Sequence, residues 1–197
     1  MPLHDRILEH FQHSAQTKLD AAALLAPTIE QAARLLVHSL AQGNKILACG
    51  IGGSSTNAQH FAVAMVNRFE QERPGLAAIA LDAAASTMTA IANAHHFDQI
   101  FARQVKALGQ PGDILMVISA SGHSASVLHA VGAAHARGMP VIALTGRSGG
   151  GLAEQMQEDD VFLCVPAESA ARIQEVHQLI IHCLCDAVDS VLLGVEE

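Results

Sequence analysis

Five short apolar runs, each leading into a turn and a helical pattern, constrain the fold of this chain more than any other feature. They occupy residues 45–49, 77–81, 113–119, 141–145 and 161–165. Between its end residues each run is continuously apolar rather than alternating, which is typical of strands that are buried on both faces. Regular alternation with helices predicts right-handed crossovers between parallel strands. The sequence therefore predicts an α/β fold with a five-stranded, parallel, doubly wound sheet of the flavodoxin-like type.

Helical patterns flank the predicted sheet at both ends of the chain. Two precede the first strand, at residues 5–25 and 29–42, and Gly43 supplies a natural helix stop. A long pattern over residues 169–193 closes the sequence. A length of 197 residues suits a single domain with a large core, so residues 1–197 are expected to form one domain with an α/β core from residue 44 onward.

Charge and cysteine usage exclude several classes of function. The net charge is −8 and no cluster of Lys or Arg stands out, which argues against direct binding of nucleic acid. We find no signal-peptide core near the start and no uninterrupted apolar stretch of membrane-spanning length, so a cytoplasmic location without membrane contact is expected. The four cysteines follow neither zinc-finger nor disulfide spacing, as expected for reduced thiols in the cytosol.

Two loops rich in serine and glycine follow the first and third predicted strands, at residues 50–55 and 119–124. Ligands of open α/β sheets bind at the carboxyl ends of the strands, and a helix N-terminus with nearby glycines and hydroxyls suits a phosphate group. A single loop of this kind could equally be a turn with a helix cap. Two at the expected strand ends favour an anion site. The dinucleotide fingerprint lacks its third glycine, because Ser55 stands there, and a Walker A sequence is absent.

Several segments together resemble the phosphoheptose isomerase branch of the SIS (sugar isomerase) proteins. That branch includes a DnaA initiator-associating protein, and the segment Ile181–Asp186 is particularly similar to that subgroup. The resemblance runs almost from end to end of the chain. Its segments are Cys49–Ser54, Gln59–Phe61, Asn67–Phe69, Arg73–Pro74, Ile118–Ser124, Ala143–Gly146 and Ala171–His177.

The resemblance implies a homotetramer with sites between subunits, and residues 1–43 would take part in that packing. A phosphorylated sugar would be bound by residues of both loops and of the last helix. These residues are Gly52, Gly53, Ser54, Ser119, Ser121, Ser124 and Gln174. Zinc would be bound by His60, Gln174 and His182, and His182 would also be catalytic. The fourth ligand of the isomerases is a Glu that also carries the proton, and Ala64 occupies its position here.

Other departures from the family pattern gather around the same site. They are Ile51, Ala94, Ala120, His123 and Ser148. Another group could replace the missing acid/base, although each candidate taken alone is more typical of a surface or packing residue. The candidates are Glu175, His95, His96, His123 and His177.

Since an aldose–ketose isomerase needs a base beside the substrate carbon, Ala64 favours a non-catalytic reading. We therefore expect a phosphosugar-binding tetramer that regulates replication initiation by binding the initiator DnaA. The alternative is a zinc-dependent sedoheptulose 7-phosphate isomerase of lipopolysaccharide heptose synthesis, which the retained His60, Gln174 and His182 favour. Sensing of a sugar phosphate by binding alone lies between the two.

Overall fold

A computed structural model of the chain describes residues 1–194. Its centre is one parallel sheet of five strands, in the order β2-β1-β3-β4-β5. The strands are β1 (Ile46–Gly50), β2 (Ala78–Ala80), β3 (Ile114–Ser119), β4 (Val141–Gly146) and β5 (Val161–Val165). The predicted fold class is confirmed, and every predicted strand is present within two residues of its expected bounds.

Helices cover both faces of the sheet. They are α1 (Leu3–Ala41), α2 (Gly53–Val66), α3 (Ala85–Ala94), α4 (Ile100–Leu108), α5 (Ala125–His135), α6 (Gly150–Gln155) and α7 (Ala170–Leu193), with a short 3-10 turn at Phe97–Gln99 before α4. Side chains alternate between the two faces along each strand. On one face, Ile46 and Ala48 pack under α1, α2 and α7. On the other face, Leu47 and Cys49 pack under α4 and α5.

The N-terminal region corrects one expectation. The two helices predicted before Gly43 are a single helix of 39 residues that passes through Pro27. A proline inside a helix costs about 3 kcal/mol, because it removes one backbone hydrogen bond and crowds the preceding turn. Burial of one apolar face of α1 against α7 offsets that cost on both sides of the proline. The buried apolar residues of this face are Ala21, Leu25, Ala32, Ala33 and Leu36.

Helix α7 is long and apolar enough to cross a membrane by length and composition. Nine of its residues are nevertheless buried inside the protein, among them the polar side chains of His177 and Asp189. This pattern is that of a core helix, which packs between α1, α2 and the sheet.

The strand order places the two serine loops side by side. Strand β1 lies between β2 and β3, so the chain winds in opposite directions on either side of the β1–β3 pair. Gly50 pairs with Ile118 at the carboxyl ends of these two strands. Because ligands of open α/β sheets bind where the strand order reverses, this crevice is the candidate site.

Candidate functional site

The first loop turns from β1 into α2 over Gly50–Gly53. Gly52 has φ +62°, a conformation that favours glycine, and it precedes the first residue of α2. A Cβ atom on Gly53 would lie 2.8 Å from the side-chain amide of Gln174. The loop and α7 therefore meet directly, and Gln174 lies against the glycine turn. Ser54 is buried at the start of α2, where backbone N–H groups lack intrahelical partners.

The second loop places three hydroxyl groups around one turn between β3 and α5. The N–H of Gly122 donates to Ser119 Oγ at 3.2 Å, and the N–H of His123 donates to Ser121 Oγ at 3.3 Å. Ser124 precedes the first residue of α5, and its hydroxyl lies 3.1 Å from that of Ser126. Ser119 and Ser121 act as acceptors in these contacts, so each O–H group can still donate to an anion.

The glycine cluster after β4 packs against the second loop. A Cβ atom on Gly122 would lie 1.8 Å from the carbonyl oxygen of Gly149, and Gly122 has φ +68°. The N–H of Leu152 donates to the carbonyl of Gly122 at 3.1 Å. The segment 146–151 therefore fixes the shape of the hydroxyl-bearing turn.

Two histidines from different helices meet two helical turns beyond the contact of the first loop with Gln174. His60 Nε2 on α2 lies 3.2 Å from His182 Nε2 on α7, and the ring of Phe69 packs 5.6 Å from that of His182. Gln178, one helical turn before His182, places its amide nitrogen 2.7 Å from His182 Nε2. Partial burial, and then the neighbouring His182, lower the pKa of His60 below its ordinary value, which favours the neutral ring.

The position of the missing carboxylate is packed with apolar atoms. Ala64 is 4% exposed and belongs to the same core cluster as Phe61 and Met65. Its carbonyl accepts a hydrogen bond of 2.9 Å from Arg73 Nη2, and Arg73 also forms a buried ion pair with Asp189 of α7. Arg73 thus ties the end of α2 to α7, and so fixes the separation of the helices that carry His60 and His182.

Two of the alternative acid/base candidates are committed to other contacts. Glu175 accepts hydrogen bonds from Ser14 Oγ and Arg172 Nη2, each at 2.6 Å, which joins α7 to α1. His177 is fully buried under β4, 3.0 Å from the carbonyl of Thr145. Burial lowers the pKa of His177 to about 4, so the ring is neutral at pH 7 and has a structural role. His123 is exposed on the loop after β3, whereas His95 and His96 are exposed between α3 and the 3-10 turn.

Two polar side chains near the loops were missed by the sequence analysis. Asp82 follows β2, and neither of its buried carboxylate oxygens has a hydrogen-bond partner of good geometry within residues 1–194. Burial raises the pKa of Asp82 in spite of the nearby Ser55 and Gln59. Gln178 was also missed, although its spacing of four residues before His182 on one helix was a signal that the two side chains share a face.

The donor set of the histidine pair is compatible with a divalent metal ion. In a tetrahedral site with Zn–N bonds of 2.0–2.1 Å, two imidazole nitrogens lie about 3.3 Å apart, close to the separation of the His60 and His182 nitrogens. Within residues 1–194, however, no group of three or more His, Cys, Asp and Glu side chains could hold a metal. The pair would therefore need neutral donors to complete a site, because Ala64 supplies no carboxylate.

Comparisons with known proteins agree on one family. The SIS domain family matches residues 10–146. The chain is 75% identical to a phosphoheptose isomerase of Thiobacillus denitrificans and 56% identical to one of Azoarcus sp., in each case over all 197 residues and the full length of both proteins. Two solved phosphoheptose isomerases have a similar fold. The one from Neisseria gonorrhoeae has a TM-score of 0.92 and 48% identity, and the one from Francisella tularensis has a TM-score of 0.94 and 49% identity. In both comparisons the match covers 96% of this chain and the whole of the other chain.

These relatives overturn the main functional expectation. A non-catalytic regulator of replication initiation was inferred chiefly from Ala64, and that inference is wrong: the high-identity relatives are phosphoheptose isomerases and favour the alternative reading. The physical reason is that one substitution removes one carboxylate and leaves the rest of the site assembled. The two loops still meet at the β1–β3 crevice, and His60 and His182 still converge. The chain belongs to the SIS domain family, in its phosphoheptose isomerase branch.

Proposed function

We propose that this protein is an aldose–ketose isomerase that acts on sedoheptulose 7-phosphate. The observation that carries the proposal is that α2 and α7 bear both the contact of the first loop with Gln174 and, two helical turns further along, the histidine pair. A phosphosugar held by its phosphate on the loops can extend its carbonyl end toward the helices α2 and α7. The relatives named above, all phosphoheptose isomerases, support the same reaction class.

The phosphate end of the site would work by hydrogen bonding and by the electrostatics of helix ends. The hydroxyls of Ser119, Ser121 and Ser124 donate from the turn before α5, and Ser54 lies in the first turn of α2. Two helix N-termini therefore point toward one crevice, and each favours a negative charge there. Gly52 and Gly53 let the backbone approach the phosphate closely, and Gln174 lies against this turn, within reach of the sugar.

The opposite end would move the protons of the reaction. Conversion of a ketose into an aldose removes a proton from C1 and returns one to C2, while the carbonyl and hydroxyl oxygens exchange roles. We assign His182 as the group that carries a proton between the substrate and its surroundings. With Ala64 in place of a carboxylate, the imidazoles of His60 and His182 are the groups beside the loops best placed for this step. A bound divalent metal would polarise the carbonyl as a Lewis acid.

An oligomer is part of the proposal. Large apolar side chains on the first third of α1 are exposed in the single chain, with Leu3 and Phe11 each more than 70% exposed. Ile7 and Leu8 add to the same stretch of helix. Water-exposed apolar area of this kind is stabilised by burial against another subunit. We propose that residues 1–43 pack in a homotetramer, which sedimentation at several protein concentrations would test.

Two further expectations rest on the family. A cytoplasmic location is proposed, in keeping with a phosphorylated sugar as substrate. Binding to DnaA stays a prediction of the sequence resemblance, and the geometry of the site does not bear on it.

The proposed activity is tested by incubating the purified protein with sedoheptulose 7-phosphate and added zinc, and following the anomeric proton signals by NMR. We expect conversion to the aldose phosphate. Unphosphorylated sedoheptulose is the matched control, and it should react far more slowly because the loops hold the phosphate. Equal rates for the two sugars, or the absence of any conversion by folded protein, would contradict the proposal.

A further inference from the structure

One face of α7 connects the two ends of the proposed site. Gln174 packs against Gly53 of the first loop, and Gln178, one turn further along, contacts His182 of the histidine pair. Both glutamines line one open cleft of about 480 Å³. A sugar phosphate that extends from the loops toward the histidines would therefore run along this cleft.

Helix α1 forms the opposite wall of the cleft. It runs beside α7 in the same direction: Arg172 Nη1 donates to the carbonyl of His10 at 2.6 Å, and one turn later Ser14 Oγ donates to Glu175 Oε2 at 2.6 Å. Lys18 follows one turn after Ser14 and lines the cleft together with the two glutamines. Along α7, these contacts place Lys18 between the first loop and the histidine pair.

The ammonium group of Lys18 is oriented by neutral partners. Its Nζ donates to Ser14 Oγ at 2.8 Å, and that hydroxyl donates in turn to Glu175, so a hydrogen-bond chain fixes the side chain. Glu175 itself pairs with Arg172. Within residues 1–194, Lys18 forms no ion pair. An ammonium group carries three N–H donors, so two remain for another partner.

The charge of Lys18 matches the chemistry of a sugar phosphate. Of the described residues that line the cleft, Lys18 is the one with a positive charge. The two serine loops add only neutral hydroxyl and backbone donors. A phosphate monoester carries a charge of about −1.5 to −2 at pH 7. A lysine ammonium is a compact charge with rotatable donors, and it can therefore attract the phosphate while it donates to nearby hydroxyl oxygens.

We propose that Lys18 is a substrate-binding residue, whose ammonium group donates to hydroxyl oxygens of the sugar between the phosphate and the reacting carbons. Its position between the first loop and the histidine pair assigns it to the middle of the carbon chain. The inference rests on the proposed function and deepens it. Ser14 is then a positioning residue, because its hydroxyl holds the ammonium over the cleft.

Binding can be measured without turnover by using a ligand that cannot isomerise. Borohydride reduction of sedoheptulose 7-phosphate gives heptitol phosphates, which keep the phosphate and the hydroxyls but have no carbonyl. These heptitol phosphates, and inorganic phosphate as a second probe, are titrated by calorimetry into the full-length wild type and its variants. Lys18→Met removes the ammonium group and keeps an unbranched side chain, whereas Lys18→Arg keeps the charge. Lys106→Met, at an exposed lysine of α4, is the matched control.

We expect Lys18→Met to bind the heptitol phosphates at least about tenfold more weakly, since a hydrogen bond to a charged group is lost. The affinity for inorganic phosphate should change much less, because the loops hold the phosphate. Lys18→Arg should recover most of the lost affinity, and Lys106→Met should bind both probes like the wild type. In turnover, Lys18→Met should raise KM for sedoheptulose 7-phosphate and nearly preserve kcat.

Wild-type affinity for the heptitol phosphates in Lys18→Met would overturn the inference, and so would a wild type that does not bind them. Equal losses for the two probes would also overturn it, because Lys18 would then bind the phosphate rather than the carbon chain. Lys18→Gln, which also removes the charge, replaces Lys18→Met if that variant does not fold.

Failure of this inference is distinct from failure of the proposed function. A protein that converts sedoheptulose 7-phosphate, and whose Lys18→Met variant binds the heptitol phosphates normally, would refute the role of Lys18 alone. A protein that binds these ligands through Lys18 and converts no sedoheptulose 7-phosphate would refute the activity alone.

Discussion

The two ends of the site are built in different ways. The end proposed to bind phosphate consists of backbone turns at the carboxyl ends of β1 and β3, supported by the glycines after β4. The end proposed to transfer protons consists of side chains from two helices, α2 and α7, which lie more than a hundred residues apart in the sequence. The first end keeps the serines and glycines of both loops but departs from the family pattern at Ile51, Ala120 and His123, whereas the second has Ala64 in place of the family carboxylate. Backbone turns thus build one end locally, while the other depends on how two helices pack.

The largest expected effect is the loss of turnover in His182→Ala. Removal of a positioned acid/base group typically costs about 10²–10⁴-fold. We expect a fall of this size in kcat with little change in KM, because the phosphate is held by the other end of the site. Initial rates over a range of substrate concentrations would measure both constants. His4→Ala, an exposed histidine on α1, is the control. A change in KM alone would show that His182 binds the sugar rather than transfers a proton.

Next in size is the effect of Arg73→Ala on stability. Arg73 donates to the carbonyls of Ala64 and Met65 and pairs with Asp189, and all of these groups are buried. Breaking a buried ion pair from one side destabilises a protein by about 3–5 kcal/mol, because the other charge is left without a partner. Urea unfolding would measure the loss. As a control, Arg34→Ala removes an exposed pair with Glu30 and should change stability by less than about 1 kcal/mol.

If Arg73→Ala unfolded at the same urea concentration as the wild type, the ion pair would not hold α2 against α7. The separation of His60 and His182 would then be set by other contacts between α2 and α7.

A pH-dependent loss of stability is expected from His177. Its pKa is lowered to about 4 in the folded protein, against 6.5 when unfolded. Between these values the unfolded chain binds the extra proton, so stability is complete above pH 6.5 and falls as the pH drops toward 4. The full loss amounts to roughly 3 kcal/mol. The lowered pKa of His60 likewise makes the protein less stable as the pH falls. The raised pKa of Asp82 has the opposite effect on stability.

Urea unfolding at pH 7.5 and pH 5 would measure this slope. His177→Gln should reduce it, because the amide can still donate to the carbonyl of Thr145 but takes up no proton. An unchanged slope in the variant would assign the pH dependence to other groups.

Two glycine substitutions compare the turn before α5, which packs against Gly149, with the exposed face of α5. Gly122→Ala should lower both stability and phosphosugar affinity, since its Cβ would collide with the carbonyl of Gly149 and its φ is +68°. Gly132→Ala is the matched control, because nothing lies within 4 Å of its Cβ position on α5. It should stabilise the protein by about 0.5–1 kcal/mol through helix propensity. Thermal melting and sugar-phosphate titration would measure both. Normal affinity in Gly122→Ala would show that the turn does not shape the cradle.

The smallest effect is expected for Ser121→Ala at the phosphate end. Loss of one hydroxyl donor to a charged phosphate costs about 1.5–3 kcal/mol, or roughly 10–150-fold in affinity. We expect this change in KM with kcat nearly preserved, the reverse of the pattern for His182→Ala. A fall in kcat alone would place Ser121 at the reacting end of the sugar and break the division of the site into two ends.

The same division explains what the sequence could predict. Strands, helices and both serine loops are local patterns, and the rule that ligands bind at the carboxyl ends of strands placed the loops in one crevice. The continuous helix through Pro27 was not predictable, because packing on α7 outweighs the local preference for a break. Gln178 and Asp82 were missed for a related reason. The spacing of Gln178 before His182 indicates a shared helix face, but no local motif records which helix faces and strand ends meet in space.

The histidine pair is proposed to transfer protons in a site that lacks the family carboxylate. The decisive measurement is turnover of sedoheptulose 7-phosphate by the wild type in D₂O, followed by NMR. Since protonated imidazoles exchange their hydrogen with solvent, the account predicts an aldose phosphate that carries deuterium at C2. No conversion by folded protein that binds the sugar phosphate would contradict the account, as would a product that retains the original C1 hydrogen at C2.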